Sequence, residues 1–342
     1  MASIMDLARR ANVSPTTVSR VLNNSNHPVS EALRLRVLEA AEELNYRPNV
    51  LARAMITRRT QIIAVIVGDS SDPYFSTIVC GVETEARARG YLVIICNTDR
   101  DPLVEQNYLR LLSDYQVDGI IFAGGSRHDS QDLAIVLDEL REKNVSMVAL
   151  NPHTAVSAEV HVDNVAAARE MTEHLLALGH ERIALIGGPE EITTTAHRLA
   201  GYQEALAEAG IPFDADLVWP GAFTFESGVE AAQRYLNCTN KPTALFASND
   251  QTAISAMAVL RQAGVRVPED VSVAGFDDIE QARYMHPSLT TIEVPMQQLG
   301  EEGVRHLLAQ LADEEMALSV TLPHRLLVRD STGPAPNGAA AG

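Results

Sequence analysis

Apolar residues along the chain follow two different spacings, and the change between them falls near residue 60. Up to residue 44 they recur three and four positions apart in three short segments, which predicts three short helices. From residue 61 onward, short apolar runs alternate with longer segments of helical spacing. This alternation predicts βαβ units, in which parallel sheets are covered by helices on both faces.

Each of the three predicted helices has one apolar face and a residue that can cap its start. The apolar faces are formed by Ile4, Leu7, Ala8 and Ala11, then by Val18, Val21 and Leu22, and then by Leu33, Val37, Leu38, Ala41 and Leu44. Ser3, Ser14 and Ser30 stand where N-caps are needed. Pro15 follows at the first position of the second helix, where a missing N–H costs nothing.

The free face of the second predicted helix has the chemistry of a DNA-reading surface. It carries Thr16, Thr17, Ser19, Arg20 and Asn23. Arginine binds guanine through two hydrogen bonds, and threonine can contact the methyl group of thymine. These features are typical of a helix-turn-helix that enters the major groove. On this pattern alone, an ordinary three-helix bundle with a solvated polar face stays open.

Charge is distributed unevenly between the two parts of the chain. Residues 1–60 contain nine arginines, no lysine and five acidic residues, whereas the whole chain of 342 residues has a formal net charge of −18. Positive charge is therefore concentrated where DNA would bind, and the remainder of the chain repels a polyanion. This distribution favours DNA binding over the ordinary bundle.

Beyond residue 60, the predicted strands fall into two successive sets. The strand-like runs are 62–67, 92–96, 119–123 and 147–150, followed by 182–186, 217–219, 243–247 and 271–276. The helical segments between them are 74–89, 102–115, 130–143, 164–178, 195–209, 225–237 and 250–263. Two such sets predict two doubly wound parallel-sheet subdomains.

Polar residues follow most of these strands, at the sheet edge where doubly wound folds bind ligands. The segments concerned are 69–75, 97–99, 124–126, 151–153, 187–189, 221–223, 248–250 and 277–278. Carboxylates and amides bind hydroxyl groups, and aromatic faces cover the apolar patches of a ligand. A cleft between the two edges is therefore expected to bind a small polar molecule.

Several motifs in a fixed order resemble the lactose-repressor (LacI/GalR) family. They are ARRANVSPTTVSRVLN at 8–23, VSEALRLRVLEAAEELNYRPNVLARAM at 29–55, DPYF at 72–75, VDGII at 117–121, RLAGY at 198–202, NDQ at 249–251 and GFDD at 275–278. The resemblance covers about residues 2–330. It implies a helical helix-turn-helix head and an α/β core whose two doubly wound subdomains resemble a periplasmic binding protein of type I.

The resemblance also implies a division of the chain into domains. Residues 1–46 are expected to form the DNA-binding domain, 47–60 a hinge helix and linker, and 61–330 the effector-binding and dimerisation core. Within the core, the N-subdomain is expected at about 61–161 and 294–321, and the C-subdomain at about 162–293 and 322–330. The tail at 331–342 is rich in glycine, proline and alanine, so it is expected to be disordered.

By the same resemblance, two heads of a homodimer bind a near-palindromic operator. Pro15, Thr16 and Arg20 take the base-reading positions, whereas Ser14, Thr17 and Asn23 lie near phosphates. In the hinge, Asn49, Ala52, Arg53 and Met55 are expected at the minor groove, with Met55 as the apolar wedge that kinks the duplex.

For the effector, the resemblance implies Arg198, Asn249 and Asp277 as main polar contacts. It adds Asp163 from the segment that crosses between subdomains, Phe75 and Phe223 as walls, and Tyr74 as a weaker candidate. From the residues alone, Asp277 and Asn249 could instead cap helices, and Phe223 could belong to the core. Ile192 offers no charge, which favours a neutral ligand such as a sugar over an anion.

The implied function is that of a ligand-switched transcriptional regulator, most simply a repressor that a sugar releases from DNA. A catabolite-control-type regulator with a phosphoprotein coregulator and a nucleoside- or purine-responsive repressor stay open. A transport solute-binding protein would lack the DNA-binding head. An enzyme of the doubly wound class would need a nucleophile–base set, which the sequence does not offer.

Other sequence features add expectations about location and chemistry. Cys80, Cys96 and Cys238 are scattered, which fits free thiols in a reducing cytosol. The chain has no signal-peptide pattern and no run of 18 apolar residues, so a cytoplasmic protein without a membrane span is expected, associated with the nucleoid when bound. Metal-ligand spacing, P-loops and dinucleotide fingerprints are absent from the sequence, so no cofactor is expected.

Substitution of Met55 by glycine tests the wedge. We expect Met55→Gly to weaken operator binding about tenfold or more, or about 1.4 kcal/mol, because glycine cannot hold a base step open. Effector binding should not change. Titration of operator DNA in a mobility-shift assay measures the effect, and unaltered operator affinity would remove the wedge role from Met55.

Overall fold

In the computed structural model, the described residues are 2–22, 28–46, 59–124, 131–153, 156 and 158–336. The chain divides into two compact units, Met1–Gln61 and Ile62–Gly342. The boundary between them lies where the spacing of apolar residues changes along the sequence.

The first unit is a small bundle of helices α1 (Ile4–Arg10), α2 (Pro15–Leu22) and α3 (Glu31–Glu43). Its core is formed by Leu7, Ala8, Ala11, Val18, Val21, Val37 and Ala40. The first two faces are those that the spacing predicts. On the third helix, Ala40 is buried and Leu38 is 46% exposed, so the predicted face is wrong at Leu38.

Two of the three predicted caps form hydrogen bonds. The Ser3 hydroxyl accepts from the Asp6 N–H, and the Asp6 carboxylate accepts in return from the Ser3 N–H at 3.0 Å. The Ser14 hydroxyl accepts from the Thr17 N–H at 3.1 Å. Ser30 occupies the N-cap position of α3, but its side chain makes no capping hydrogen bond, so that part of the prediction is wrong.

The second unit contains the α/β part of the chain. In chain order its elements are β1 (Ile62–Val67), α4 (Pro73–Ala88), β2 (Leu92–Asn97), α5 (Pro102–Asp114), β3 (Gly119–Phe122), α6 (Gln131–Glu142), β4 (Ser146–Ala149), β5 (Glu159–Val162), α7 (Asn164–Ala177), β6 (Ile183–Ile186), α8 (Thr193–Glu208), β7 (Val218–Trp219), α9 (Phe225–Asn237), β8 (Ala244–Ala247), α10 (Asp250–Gln262), β9 (Ser272–Ala274), α11 (Glu280–Tyr284), β10 (Thr291–Glu293), α12 (Met296–Leu311), β11 (Ser319–Leu322) and β12 (Arg325–Leu327).

Two parallel sheets form the centres of two subdomains. The first has the strand order β2-β1-β3-β4-β5-β11, and the second has the order β7-β6-β8-β9. Strands β10 and β12 pair antiparallel in a separate ribbon. The strand order reverses between β1 and β3 and again between β6 and β8, and ligands of doubly wound sheets bind at such points.

The sequence pattern did not predict β5, β10, β11, β12, α11 or α12. The strands among these have only three or four residues, which is too short for a periodic signal. Helix α12 belongs to the first subdomain and lies unusually close to α4. An added Cβ at Gly81 would stand 2.1 Å from the Gln297 carbonyl oxygen, and one at Gly300 would stand 2.2 Å from the Ile78 carbonyl oxygen. Glycine at both positions permits this approach.

Residues 331–336 are hydrogen-bonded to the second subdomain. The buried Ser331 hydroxyl donates to the Val273 carbonyl oxygen at 2.6 Å and accepts from the Thr290 N–H at 2.8 Å. The Gly333 carbonyl oxygen contacts His180 Nε2 at 3.0 Å. The prediction of disorder from Ser331 is therefore wrong for 331–336, because these hydrogen bonds outweigh the composition. Residues 337–342 lie outside the described part.

Substitution of Ser331 by alanine tests this attachment. We expect Ser331→Ala to lower the free energy of unfolding of the second unit by about 1–3 kcal/mol, since it leaves the buried Thr290 N–H without an acceptor. Urea denaturation at fixed protomer concentration measures the change. The control is Ser288→Ala, which removes an exposed hydrogen bond to Asp330 and should stay within about 0.5 kcal/mol of wild type. Equal losses for the two variants would contradict the attachment.

Candidate functional site

A cavity of about 330 Å³ lies between the two subdomains of the second unit, at the carboxyl ends of both sheets. Its polar lining consists of Asp72, Thr98, Arg100, Glu105 and Asn151 from the first subdomain and Glu191, Thr194, Arg198, Asn249 and Asp277 from the second. Its aromatic lining consists of Tyr74, Phe75, Phe122 and Phe223. The volume equals that of about eleven liquid water molecules, which suits a molecule of one ring with substituents or two small rings.

Arg198 is the central cation of the cavity. It projects from α8 and is buried, and its guanidinium lies 3.6 Å from the centre of the Phe276 ring. Nε donates to Asn164 Oδ1 at 3.0 Å, and Nη1 donates to the Ser248 carbonyl oxygen. These contacts fix the side chain in one orientation. The remaining nitrogen, Nη2, faces Asp277.

Asp277 is buried opposite this arginine and has unused hydrogen-bonding capacity. Its Oδ1 lies 3.6 Å from Arg198 Nη2, which is an ion pair but too long for a hydrogen bond. Among the described residues, Oδ1 has no hydrogen-bond partner. Burial raises the pKa of this carboxyl well above its ordinary value, and the charge of Arg198 opposes that rise. A ligand hydroxyl that donates to Oδ1 would satisfy this oxygen.

The helix-capping alternative does not apply to Asp277, because α11 begins at Glu280 and its N-cap is Ile279. For Asn249, both interpretations hold. Its Oδ1 accepts from the Thr252 N–H at 3.2 Å and caps α10, while its Nδ2 donates to the Phe223 carbonyl oxygen at 3.1 Å on the cavity side. Asn249 therefore lines the cavity and also fixes the loop that carries Phe223.

Phe75 lines the cavity from the first subdomain and Phe223 lines it from the second, as the prediction of two aromatic walls requires. Phe223 adopts a left-handed backbone conformation with φ of 59°. An added Cβ at Gly188 would stand 2.1 Å from the Phe223 ring, so glycine is required for the ring to lie there. The Phe223 side chain is half-buried and faces the cavity, which answers the alternative that it belongs to the core.

Tyr74 lines the cavity beside Phe75, with the two ring centres 5.2 Å apart in an edge-on arrangement. Its hydroxyl accepts from Asn151 Nδ2 at 3.1 Å. Burial, together with the negative charge of Asp277, raises the pKa of Tyr74 to about 12. The phenol is therefore neutral and can donate a hydrogen bond into the cavity.

Asp163 does not reach the cavity, so its predicted role as an effector contact is corrected. Its carboxylate is exposed and caps α7 by accepting from the Val165 and Ala166 N–H groups at 3.1 and 3.0 Å. The next residue, Asn164, is buried and binds Arg198. The side chain that supports the site is therefore Asn164, one position after the predicted Asp163.

The first subdomain supplies polar lining residues that are not among the predicted effector contacts. Asp72 caps α4 through the Tyr74 N–H at 2.9 Å and lies 3.7 Å from Arg100. Burial raises its pKa, and burial also raises the pKa of Glu105 to about 7. Asp72 and Asn151 lie in the strand-end segments 69–75 and 151–153, which the sequence pattern predicted to meet at the sheet edge. Glu105 lies within α5, where nothing in the sequence distinguishes it from a solvated acid.

Ile192 lines the cavity. Helix α8 begins at Thr193, with Ile192 as an N-cap that makes no side-chain hydrogen bond. Thr194 is buried in the lining. This corner therefore offers an apolar side chain and a hydroxyl beside the acidic Glu191, and no positive charge for an anionic ligand.

The candidate DNA-contacting residues lie on the first unit. Thr16 and Arg20 are exposed on α2, and Pro15 and Thr17 are half-exposed. Ser14 is exposed and caps the helix. Asn23, Asn49, Ala52, Arg53 and Met55 lie outside the described residues, so their roles stay predictions.

Across the described ranges, no helix is both long enough and apolar enough to cross a membrane. In the same ranges, no group of three or more His, Cys, Asp or Glu side chains is arranged to hold a metal ion. Cys80 is exposed, Cys238 is half-buried and Cys96 is buried, and all three are free thiols. Burial raises the pKa of Cys96 to about 11.

Comparison with known proteins finds two family matches and close relatives. Residues 3–49 match the lacI family of bacterial regulatory proteins, and residues 172–332 match the periplasmic binding protein-like domain. The HTH-type transcriptional repressor PurR of Photobacterium profundum is 37% identical over 316 residues, covering 92% of this chain and 93% of PurR. The HTH-type transcriptional regulator DegA of Bacillus subtilis is 37% identical over 337 residues, covering 97% and 98%.

Solved structures show the same similarity. The Lac repressor dimer bound to operator and the anti-inducer ONPF matches with a TM-score of 0.86 and 31% identity, over 97% of this chain and 99% of that chain. A complex of the transcriptional regulator CelR with cellobiose matches with a TM-score of 0.72 and 32% identity, over 97% and 100%. These matches confirm the predicted fold class, a helix-turn-helix head followed by an α/β core with parallel sheets.

A double-mutant cycle tests the buried ion pair. Arg198→Met should lower the free energy of unfolding by about 3–5 kcal/mol, because it leaves the Asp277 carboxylate buried without a cation. Asp277→Asn in the Arg198→Met background should recover part of that loss. Urea denaturation of the wild type, both single variants and the double variant gives the coupling energy. Losses that add within about 0.5 kcal/mol would show that the pair is not coupled.

Proposed function

The chain belongs to the LacI family of bacterial regulatory proteins, and we propose that this DNA-binding transcriptional regulator is a repressor. A small sugar-like effector releases it from a palindromic operator. The repressor acts as a homodimer, since two heads are needed to bind the two half-sites. The head is assigned to DNA recognition, residues 47–60 to the hinge, and the α/β core to effector binding and dimerisation.

The observation that carries the effector class is the composition of the cavity around Asp277. An acceptor oxygen without a hydrogen-bond partner among the described residues, Asp277 Oδ1, lies beside a fixed guanidinium and between aromatic walls. A sugar has hydroxyl groups that both donate and accept, and its ring carries an apolar C–H face that covers aromatic rings. Both chemistries are available here within one enclosed volume.

The charge of the cavity argues against an anionic effector. The acidic side chains Asp72, Glu105, Glu191 and Asp277 outnumber the two arginines in the lining. Asp72 lies 3.7 Å from Arg100, and Asp277 lies 3.6 Å from Arg198, so both cations already face a carboxylate. A phosphorylated ligand would meet no free cation in this lining. The similarity to CelR, which binds cellobiose, supports the sugar class.

The dimer is supported by the exposed edge of the first sheet. Strand β2 is the edge strand, and its Leu92 and Ile95 are 62% and 50% exposed. An open apolar edge of this kind is a surface for pairing with a second copy. Ile78 and Val82 on α4 and Met257 on α10 are buried in the core and do not serve this contact. The similarity to the Lac repressor dimer agrees with this assignment.

The mechanism follows from the position of the cavity between two subdomains. A ligand that contacts Asn151 on one side and Arg198 on the other stabilises the closed arrangement of the core more than the open one. It then biases an equilibrium between two dimer arrangements, of which only one suits both half-sites. For release, the effector-bound arrangement is the one with lower operator affinity.

We place this activity in the cytoplasm, where operator DNA is accessible, and we assign no catalytic reaction to the chain. A ligand-operated switch needs binding energy at two sites but no chemical step. The relatives compared above are regulators as well.

Operator selection with the purified full chain tests the proposal. Random duplexes are selected with no addition and with D-glucose, D-ribose, cellobiose, cytidine or guanosine. We expect a palindromic site whose binding weakens at least tenfold with one of the sugars. Release by cytidine or guanosine would move the effector to the nucleoside class. A palindrome that responds to none of the five would overturn the sugar-effector proposal and favour a protein coregulator.

Matched arginine variants test the head. Arg20→Ala should lower affinity for the selected site and relax specificity at one position of each half-site, with about 1–3 kcal/mol of discrimination lost. Arg9→Ala is the control, because Arg9 is exposed on α1 and pairs locally with Asp6. Absence of any preferred sequence for the wild type would overturn the DNA-reading assignment.

A further inference from the structure

The turn that carries Asp277 has an unfavourable backbone conformation that needs support from surrounding groups. We call residues Gly275–Ile279 the Asp277 turn. Asp277 and Asp278 are consecutive non-glycine residues with φ of 120° and 55°. Such conformations are unfavourable for residues with a Cβ and persist only where the surroundings fix them. Groups outside the turn must therefore fix it in this conformation.

Asp250 lies behind the turn and contacts it at several points. It is fully buried at the start of α10, directly after the cavity residue Asn249. Its Oδ2 accepts from the Ile279 N–H at 2.9 Å, and its own N–H donates to the Phe276 carbonyl oxygen at 2.9 Å. An added Cβ at Gly275 would stand 2.2 Å from Asp250 Oδ1, so the turn lies directly against the carboxylate.

The second oxygen of Asp250 is held by Thr291. The Thr291 hydroxyl donates to Oδ1 at 2.6 Å, and Thr291 is fully buried in β10. Strand β10 also binds the turn through its backbone, because the Asp277 N–H donates to the Ile292 carbonyl oxygen at 2.8 Å. β10 leads into α12 of the first subdomain. The Thr291 hydroxyl thus links β10, which runs between the subdomains, to the Asp250 carboxylate. That carboxylate in turn binds the Asp277 turn.

We propose that Asp250 and Thr291 are a positioning pair, which fixes the Asp277 turn so that the Asp277 carboxylate faces Arg198 and the effector. The pair does not line the cavity and is not part of the ligand contact set. It fixes Asp277 relative to Asn249, since Asn249 and Asp250 are neighbours whose side chains serve the cavity and the turn respectively. The functional meaning rests on the proposed function, which assigns Asp277 to effector binding.

The charges around the pair are consistent with this role. Burial raises the pKa of Asp250 to about 7, against the hydrogen bonds from Thr291 and Ile279 that lower it. Both donors, together with the charge of Arg329, favour the charged carboxylate and so oppose the effect of burial. On the other side of the turn, Asp278 is bound by Arg329 at 2.6 Å and by Arg283 at 2.9 Å.

Amide hydrogen exchange of the ligand-free full chain tests the pair directly. Thr291→Val keeps the shape of the side chain and removes the donor. We expect the Ile279 and Asp277 amides to exchange about three- to tenfold faster, as loss of one buried hydrogen bond predicts. Thr291→Ser restores the hydroxyl and should return the rates to those of wild type.

Thr243→Val is the matched control. Thr243 is buried in the same subdomain, and its hydroxyl contacts the buried His180 ring at 2.9 Å, away from the Asp277 turn. It should lower global stability to a similar extent and leave the Ile279 amide unchanged. Equal acceleration in both Val variants, or failure of Thr291→Ser to restore the rates, would overturn the positioning role.

A titration with cellobiose adds the functional consequence. It is followed by the fluorescence of Trp219, the single tryptophan of the chain, which ends β7. We expect Thr291→Val to weaken cellobiose binding about three- to tenfold and Thr243→Val to leave it unchanged. If the wild type does not bind cellobiose, the titration uses the sugar that operator selection identifies, and the exchange rates decide on the pair in either case. If cellobiose binds equally well to both variants while the turn exchanges faster, the pair does not position Asp277 for ligand.

Discussion

The ion pair of Arg198 and Asp277 is the constraint on which the rest of the core depends. Two opposite charges are held out of water, and removing a charge from water costs several kcal/mol unless other groups compensate. Asn164 and the Ser248 carbonyl oxygen satisfy the guanidinium, and the Phe276 ring covers its face. The carboxylate keeps one oxygen without a hydrogen-bond partner among the described residues, which makes the pair a binding group rather than a closed structural contact.

The surrounding fold places these two charges and then connects them to the rest of the core. Arg198 comes from a helix, whereas Asp277 comes from a turn that hydrogen-bonds to β10. Because β10 continues into α12 and α12 packs closely on α4, a ligand at Asp277 touches a segment that runs directly into the first subdomain. This continuity gives a binding event in the cavity a physical route to the arrangement of the two subdomains.

Charge also separates the two activities along the chain. The first 60 residues are basic and expose Thr16 and Arg20, while the long acidic remainder disfavours contact with a polyanion. Within the core, acidic residues again outnumber arginines around the cavity. The head and the cavity lining therefore differ in charge, which suits a regulator whose DNA and proposed effector must not compete for one surface.

The sequence by itself determined the fold class and the helix-turn-helix head, because these depend on local spacing, caps and motifs within short segments. The family resemblance supplied Arg198, Asn249 and Asp277 as proposed effector contacts, and all three line the cavity. The sequence pattern also indicated the strand ends from which Asp72 and Asn151 enter the cavity. Only the tertiary structure decided the roles of Asp163 and Asn164, which differ by one position in whether they cap a helix or meet Arg198. It likewise decided the burial of Glu105, the ordering of Ser331 and the placement of Asp250 against the Asp277 turn. Each of these depends on partners distant in the sequence, and a local pattern carries no information about which distant group will supply the hydrogen bond or exclude the water.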